Sequence, residues 1–481
     1  MPDLLQRGWD ALTSTPGLAM LLVLGWLLYL IWLGGWIVLQ KREPVATLSW
    51  LLGLALLPYL GFLIYHVFGP QKIRRQRLRR ESSRARLPQE PDGFSGHSDA
   101  AELASLAHAA SGLAPASATE VRLLVDGGET YDALLADVAA ARSHLHLEYY
   151  IYETDHIGTT LRDALVERAR AGVRVRLLID AVGSGQPRRF FSPLIDAGGE
   201  VTWFHPTQFG RIWQRPWLNL RNHRKIVVID GCIGYTGGIN ISDHQDERRR
   251  DDAYRDLHLR LEGEAVRRLQ KIFVEDWLYA NGDDGCIGEI AAQTPACDHG
   301  PIAAQVLSSG PDSSWEAIHR LHVSAIHAAR TRVWLVTPYF VPGEAAMMAL
   351  TSAALAGLDV RLLLPRRCDS LLVTLAARSY FDALMEAGVQ VYEYGPRLLH
   401  SKALVVDDSL ALVGSANFDN RSFRLNFEAS VLFDDRALTA QLARHVESEL
   451  ARARRVHARD DRPLLRERLP EALARLLSPL L

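Results

Sequence analysis

The sequence predicts an α/β protein built from two similar halves and preceded by a hairpin of two membrane-spanning helices. Three observations carry that prediction. Two long stretches near the amino terminus hold no charged residue. Strand-like and helix-like segments alternate from residue 119 onward. One constellation of polar residues is written twice.

The hairpin comes first in the chain. Gly17 to Leu39 runs 23 residues without a charge, and Val45 to Phe68 runs 24 more. A helix rises about 1.5 Å per residue, so each stretch suffices for a hydrocarbon core of about 30 Å. Trp and Tyr within them suit membrane interfaces. A cleaved signal peptide fits poorly, because Asp3, Arg7 and Asp10 are not a basic leader and a second apolar stretch follows. The loop between the stretches carries Lys41 and Arg42, whereas Lys72, Arg74, Arg75, Arg77, Arg79, Arg80, Arg84 and Arg86 follow the second. That asymmetry predicts cytoplasmic termini and a cytoplasmic carboxy-terminal bulk. The same cations would sit on anionic headgroups.

Bulk numbers bound the rest. A chain of 481 residues suggests two or three domains, and 48% hydrophobic against 23% charged residues allows a large core. A formal net charge of −2 advertises no nucleic-acid partner. Cys232, Cys286, Cys297 and Cys368 form no C-x-x-C pair, so neither a zinc site nor a disulfide framework is suggested. Only five lysines occur, at 41, 72, 225, 271 and 402, among 54 basic residues.

Residues 71–118 read as the basic juxtamembrane segment and a linker rich in Pro, Ala, Ser and Gly, with one short helix around 99–110. Two halves then follow, 119–295 and 296–481. Ala171 to Asp180 and Ala356 to Pro365 have the same pattern, a buried strand after a helix. His144–Tyr152 and Val333–Val341 are a second matching pair of strands. Helices at 130–142, 159–171, 315–329 and 345–356 alternate with them, as in a parallel or mixed sheet covered by helices.

The repeated constellation is His-x-Lys-x4-Asp: His223, Lys225 and Asp230 in the first half, His400, Lys402 and Asp407 in the second. Composition gives about 0.01 accidental matches per chain, so two are far outside chance. Gly237, Gly238 and Asn240 follow the first histidine at the spacings at which Gly414, Ser415 and Asn417 follow the second. An acidic residue then opens a strand in each half, Asp256 and Glu428. His and Lys two apart on a strand face one side, while Arg224 and Ser401 between them point away. Histidine is suited to attack phosphorus and to move protons near neutral pH. Lys and Asn suit the oxygens on which charge gathers in phosphoryl transfer. A carboxylate beyond an imidazole fixes its tautomer. Asp230 and Asp407 are open to two readings, a catalytic one and a structural one that anchors loop backbone.

These motifs resemble the paired signature of the phospholipase D superfamily. The wider match, nearly chain-long, resembles bacterial cardiolipin synthases. It includes Arg42-Glu-Pro-Val-Ala-Thr-Leu-Ser-Trp50, Leu147-Glu-Tyr-Tyr-Ile151, Asn219-Leu-Arg-Asn-His-Arg-Lys225, Gly237-Gly-Ile-Asn-Ile241, Gly414-Ser-Ala-Asn-Phe-Asp-Asn-Arg-Ser422 and the tail Arg475-Leu-Leu-Ser-Pro-Leu-Leu481.

The resemblance implies two α/β sandwich halves packed about a pseudo-twofold axis, with both histidines in one cleft. One histidine would take the phosphatidyl group and the other would serve as acid and base. Analogy gives His223 the first role and His400 the second, although symmetry leaves them interchangeable. Lys225, Lys402, Asn240 and Asn417 would bind phosphate, and Asp256 and Glu428 would orient the histidines. No metal or other cofactor is implied. The implied substrates are phosphatidylglycerol and other phospholipids, in the cytoplasmic (inner) membrane of a bacterium. A phospholipase D-type hydrolase, a nuclease and another phosphatidyltransferase, such as a phosphatidylserine synthase, share the motif. The two spans and the absence of net basic charge count against a nuclease. A catalytically silent scaffold is opposed by intact motifs in both halves. Glu148, Tyr149, Tyr150, His258, Trp213 and Trp217 are further positions that either line the cleft or serve the core.

Overall fold

The computed structural model describes residues 16–39, 44–56, 99–185, 188–205, 220–281, 299–313, 315–395, 397–458 and 462–478. They fall into two compact units, the amino-terminal helices and the chain from residue 99 onward.

In the first unit, α1 (Pro16–Leu39) and α2 (Pro44–Leu56) each open on a proline, whose missing N–H costs nothing at a helix start. Leu33, Ile37 and Leu54 are buried together, with Tyr29, Leu30 and Trp50 partly covered beside them. Met20, Leu24, Leu28, Ile31 and Trp32 remain exposed. The side chains of α1 are described without a break over 23–39, and no described helical stretch is long and apolar enough to cross a membrane. Residues 57–68 of the second expected span, and the basic cluster at 72–86, lie outside the described residues.

The second unit opens with α3 (Asp99–Ser111) and β1 (Ala116–Ala118). Its first repeat runs β2 (Glu120–Val125), α4 (Asp126–Ala140), β3 (His144–Tyr149), α5 (His156–Arg170), β4 (Arg174–Asp180), β5 (Glu200–Phe204), β6 (Arg221–Asn222), β7 (Ile226–Ile229), β8 (Ile233–Gly237) and β9 (Leu257–Glu262), and is followed by α6 (Ala265–Asn281). The second runs β10 (Ile302–Ser309), α7 (Ala317–Ala328), β11 (Arg332–Val336), β12 (Phe340–Val341), α8 (Glu344–Leu355), β13 (Asp359–Pro365), β14 (Gln390–Tyr394), β15 (Ala403–Val406), β16 (Leu410–Gly414), β17 (Phe418–Asp419), α9 (Asn420–Arg424) and β18 (Asn426–Asp434). It closes with α10 (Arg436–Leu450), β19 (Ala453–Arg455) and α11 (Leu469–Leu476).

The duplication is visible in the sheets. One has the order β2-β9-β8-β7-β3-β4-β5 and the other β1-β10-β18-β16-β15-β11-β13-β14-β19. Without the edge strands β1 and β19 the two orders correspond strand for strand. In both, the three strands that carry the helical crossovers are parallel, β3-β4-β5 and β11-β13-β14. The hairpin-linked strands are antiparallel.

The alternation of side chains along β7 and β15 explains the layering. Val227 and Ile229 face the core under α4 and α5, and Leu404 and Val406 face the core under α7 and α8. Ile226, Val228, Ala403 and Val405 face a third core that the two sheets share, with Val266 and Leu269 of α6 and Leu438 and Leu442 of α10. A strand apolar on both sides is what a doubly covered sheet requires.

Residues 99–118, expected to end a tether, are folded onto the second half instead. Leu103 and Ala107 of α3 join the core of Leu307, Ile318 and Leu321, and Ala116 of β1 pairs with Ala304 of β10. The apolar face of the Ala/Leu helix drives this, because left in water it would forgo about 25 cal/mol per Å² of burial.

Candidate active site

Each His-x-Lys pair leads into a strand of four buried aliphatic residues, Ile226–Ile229 or Ala403–Val406. The backbone of each pair is also held by the opposite half. β6 lies parallel to β18, with Asn222 opposite Phe427, and the His223 N–H donates to the Phe427 carbonyl at 2.9 Å. On the other side Arg255 bridges to Leu399, and the His400 N–H donates to the Arg255 carbonyl at 2.7 Å.

The residues after those two carbonyls are the orienting carboxylates, so each histidine takes its carboxylate from the other repeat. His223 Nδ1 lies 3.0 Å from Glu428 Oε2, and His400 Nδ1 lies 2.5 Å from Asp256 Oδ2. Burial pushes both carboxyls up, but other groups outweigh it and hold them below the usual range. At Glu428 those groups are His223, Lys225 and the Ser415 hydroxyl. At Asp256 they are Lys402, His400 and the Leu257 N–H. An ionised carboxylate only accepts, so Nδ1 carries the hydrogen in both rings and both Nε2 lone pairs are left for chemistry. The two histidines are 9% and 8% exposed, a narrow opening rather than a surface.

Burial lowers the charged form of all four basic groups. It takes His223 down to about 4 against the pull of Glu428, and it lowers His400, where Lys402 adds to the effect and Asp256 opposes it. It takes Lys225 to about 7 and Lys402 to about 8. Each histidine feels the lysine of the other repeat. Lys225 Nζ donates to the His223 carbonyl at 2.5 Å, and Lys402 Nζ donates to the His400 carbonyl. The Tyr150 ring stands edge-on to His223 at 4.9 Å with Lys225 5.3 Å above it, and Tyr254 lies 5.5 Å from His400.

A family model described as "Cardiolipin synthase, PLD-like domain" matches residues 134–277 and 323–450. The chain belongs to the cardiolipin synthase family of the phospholipase D superfamily. A second model, "Phospholipase_D-nuclease N-terminal", matches residues 31–70. Cardiolipin synthase 2 of Bacillus anthracis is 40% identical over 464 residues, 92% of this chain and 88% of that one. A cardiolipin synthase of Geobacillus sp. (strain WCH70) is 41% identical over 463 residues, covering 92% and 90%. Among solved structures, phosphatidylserine synthase of Haemophilus influenzae Rd KW20 shares the fold. It has a TM-score of 0.61 at 15% identity and covers 79% of this chain and 100% of its own.

Within this member of the cardiolipin synthase family, the expected residues separate into two groups. His223, Lys225, His400, Lys402, Asp256 and Glu428 come together. Asn240 and Asn417 are buried in the loops after β8 and β16; Asn240 Oδ1 accepts the Ile151 N–H at 3.2 Å, whereas Asn417 Oδ1 is buried without a partner. Asp230 and Asp407, named with the catalytic residues, are not brought to the histidines. They sit at the far ends of β7 and β15 in left-handed turns, at φ of 52° and 50°, a conformation Asp tolerates well. Asp230 accepts the N–H groups of Arg142, Ser143 and His144, and Asp407 those of Arg330, Thr331 and Arg332. Both clamp the start of the neighbouring strand, the structural reading of the two.

Of the remaining positions, Tyr149 is in the core. His258 is buried, its Nδ1 accepting the Ile239 N–H at 3.3 Å. Glu148 is fully buried against Asn222 and Asp276, where burial first and Asp276 next push its carboxyl well up. Trp213 and Trp217 lie outside the described residues. Sequence reasoning missed two groups that join the halves. Arg224 does point away from the site, but into the interface, where it pairs with Asp276 and donates to Ser308 Oγ at 2.6 Å and to the Glu428 carbonyl at 3.1 Å. Arg255 binds Asp126 at 2.6 Å and Glu449 at 2.8 Å, with Arg397 on the same Asp126 oxygen. These partners are up to 271 residues apart, and no local signal announces them.

Proposed function

We propose that this phosphatidyltransferase moves a phosphatidyl group from one phosphatidylglycerol to another, giving cardiolipin and glycerol through a phosphohistidine. The carrying observation is the crosswise pair of histidines, each with Nδ1 held by a carboxylate of the other repeat and Nε2 left for chemistry. His223 Nε2 attacks phosphorus and forms the P–N bond as the bond to the glycerol oxygen breaks. His400, which enters this step as the imidazolium with its Nδ1–H on Asp256, gives its Nε2 proton to that oxygen and is left neutral. The hydroxyl of the second lipid then gives its proton back to His400 and its oxygen to phosphorus, which breaks the P–N bond. One diester is lost and one gained, so no nucleotide is consumed. Lys225, Lys402, Asn240 and Asn417 stabilise the charge on the transferring phosphoryl oxygens.

The hydrogen bonds support that division of roles. Glu428 shares its charge among His223, Ser415 and Asn426, while Asp256 gives a 2.5 Å contact to His400. His400 is therefore better placed to hold a proton transiently, and His223 to stay a neutral nucleophile. We further propose that residues 17–39 and 45–68 span the cytoplasmic membrane of a bacterium and tether the catalytic part on its cytoplasmic side. The uncharged length of both stretches and the eight cations after them support this.

The test is incubation of the detergent-purified protein with phosphatidylglycerol alone, with products separated by thin-layer chromatography and mass spectrometry. Cardiolipin and free glycerol from the parent, and neither from His223→Ala, are expected. Phosphatidic acid as the main product would make the protein a hydrolase and sink the transfer reading.

A further inference from the structure

Among the described residues, one cation beside the nucleophile keeps a buried N–H without a hydrogen-bond partner. Arg221 lies on β6 opposite Asn426, two residues before His223, so extended geometry puts both on one side about 6.6 Å apart. Among the described residues it forms no ion pair, and its Nη1 is buried without a hydrogen-bond partner. The adjacent Asp180 is already committed, one oxygen to the Val182 and Gly183 N–H groups and the other to the Asn222 N–H at 2.9 Å. A second guanidinium, Arg421 on α9, serves the same region. Its charged form is disfavoured by burial first and by Arg221 next, and Tyr150, which touches His223, feels both arginines. Arg221 thus keeps one buried N–H unused beside a second cation, which favours the arrival of an anion there.

The transfer reading makes a second anion necessary. The phosphodiester under attack is flanked by Lys225 and Lys402. A phosphatidylglycerol acceptor brings another phosphodiester, which is not broken and would repel the first. Three carbons separate that phosphate from the reacting hydroxyl, a span comparable to the step from His223 to Arg221. We propose that Arg221, with Arg421, binds the intact phosphodiester of the acceptor phospholipid and so selects a lipid hydroxyl over water. This inference rests on the transfer reading, and it names a specificity-determining site rather than a catalytic one. Guanidinium is suited to the task because its fork matches two phosphate oxygens.

The experiment compares three acceptors in one tube. Full-length protein in mixed micelles of phosphatidylglycerol and detergent, with 1-butanol added, yields cardiolipin, phosphatidylbutanol and phosphatidic acid. All three need the same phosphohistidine, but only the first needs an anionic acceptor. In Arg221→Gln, cardiolipin is expected to fall about tenfold or more relative to phosphatidylbutanol, as losing a charge-assisted pair implies. Total consumption through the other two products should stay within about threefold, the scatter such substitutions give away from the reacting atoms. Arg221→Lys should recover part of the ratio, and Arg421→Gln should shift it in the same direction should Arg221→Gln fail to fold. A parallel fall of all three products, or an unchanged ratio in both glutamine variants, would overturn the proposal. A parent that makes phosphatidylbutanol and phosphatidic acid but no cardiolipin would instead remove the transfer reading beneath it.

Discussion

Around His223 the carboxylate is a glutamate with three donors, His223 Nδ1, Ser415 Oγ and Asn426 Nδ2. Around His400 it is an aspartate, one methylene shorter, whose partners are His400 Nδ1 and the Leu257 N–H at 2.8 Å. The position of Ser415 is taken in the other repeat by Gly238, where an added Cβ would overlap the Asp256 carboxylate. Duplication gave both sites the same histidine and lysine, yet each carboxylate is fitted to its own neighbour. A long acid with a hydroxyl and a short acid with a glycine are two matched solutions, and the residues are not interchangeable one at a time.

The largest expected effect separates the two histidines. Both His223→Ala and His400→Ala should lose at least about 10³-fold in cardiolipin formation. A donor carrying a nitrophenol leaving group needs no proton on departure, so release of nitrophenol should return in His400→Ala and stay absent in His223→Ala. Equal rescue of both would make the roles interchangeable. Next comes the fit of the carboxylates. Gly238→Ser should abolish turnover, whereas Ser415→Gly removes one charge-assisted hydrogen bond, worth about 1.5–3 kcal/mol, and should slow turnover about 10–100-fold. If Gly238→Ser were the milder of the two, the matched-pair account would be wrong.

Acid provides a subtler contrast. The folded pKa of His223 is about 4, below an unfolded value of about 6.5. The folded state thus resists protonation, and its stability is complete above pH 6.5 and lost as pH falls towards 4. Glu428, also held low, adds loss in the same direction. The parent should lose about 2–3 kcal/mol between pH 7 and pH 4.5 through His223, and His223→Gln should flatten that slope in thermal melts. The smallest effect on chemistry belongs to the motif aspartates. Asp230→Asn and Asp407→Asn should each cost about 1–2 kcal/mol of stability through weakened backbone bonds and leave the turnover of folded protein within about threefold. A 10³-fold loss of activity at unchanged melting temperature would restore them to the catalytic set.

The residues proposed to do the chemistry were legible because they repeat at fixed spacing, and the strands because His-x-Lys runs straight into four aliphatic residues. The crosswise exchange was not legible. Asp256 lies downstream of His223 in the same repeat, and sequence alone offers no sign that it serves His400. The repeat also made Asp230 and Asp407 look catalytic, since a turn clamp needed in both halves recurs as faithfully as a catalytic group. Residues 99–118 were misjudged for a different reason. Their composition is that of a linker, and the edge strand they supply belongs to a sheet whose other strands begin about 180 residues later.

The crosswise carboxylates also bear on how the protein is made. A ribosome delivers His223 well before Glu428, and for that interval the imidazole has neither its acid partner nor Phe427 to fix its backbone. Until both arrive, the emerging chain lacks the hydrogen bond and the backbone anchor that set this imidazole. Both reactive centres are therefore completed only when the second repeat has been made and has folded against the first.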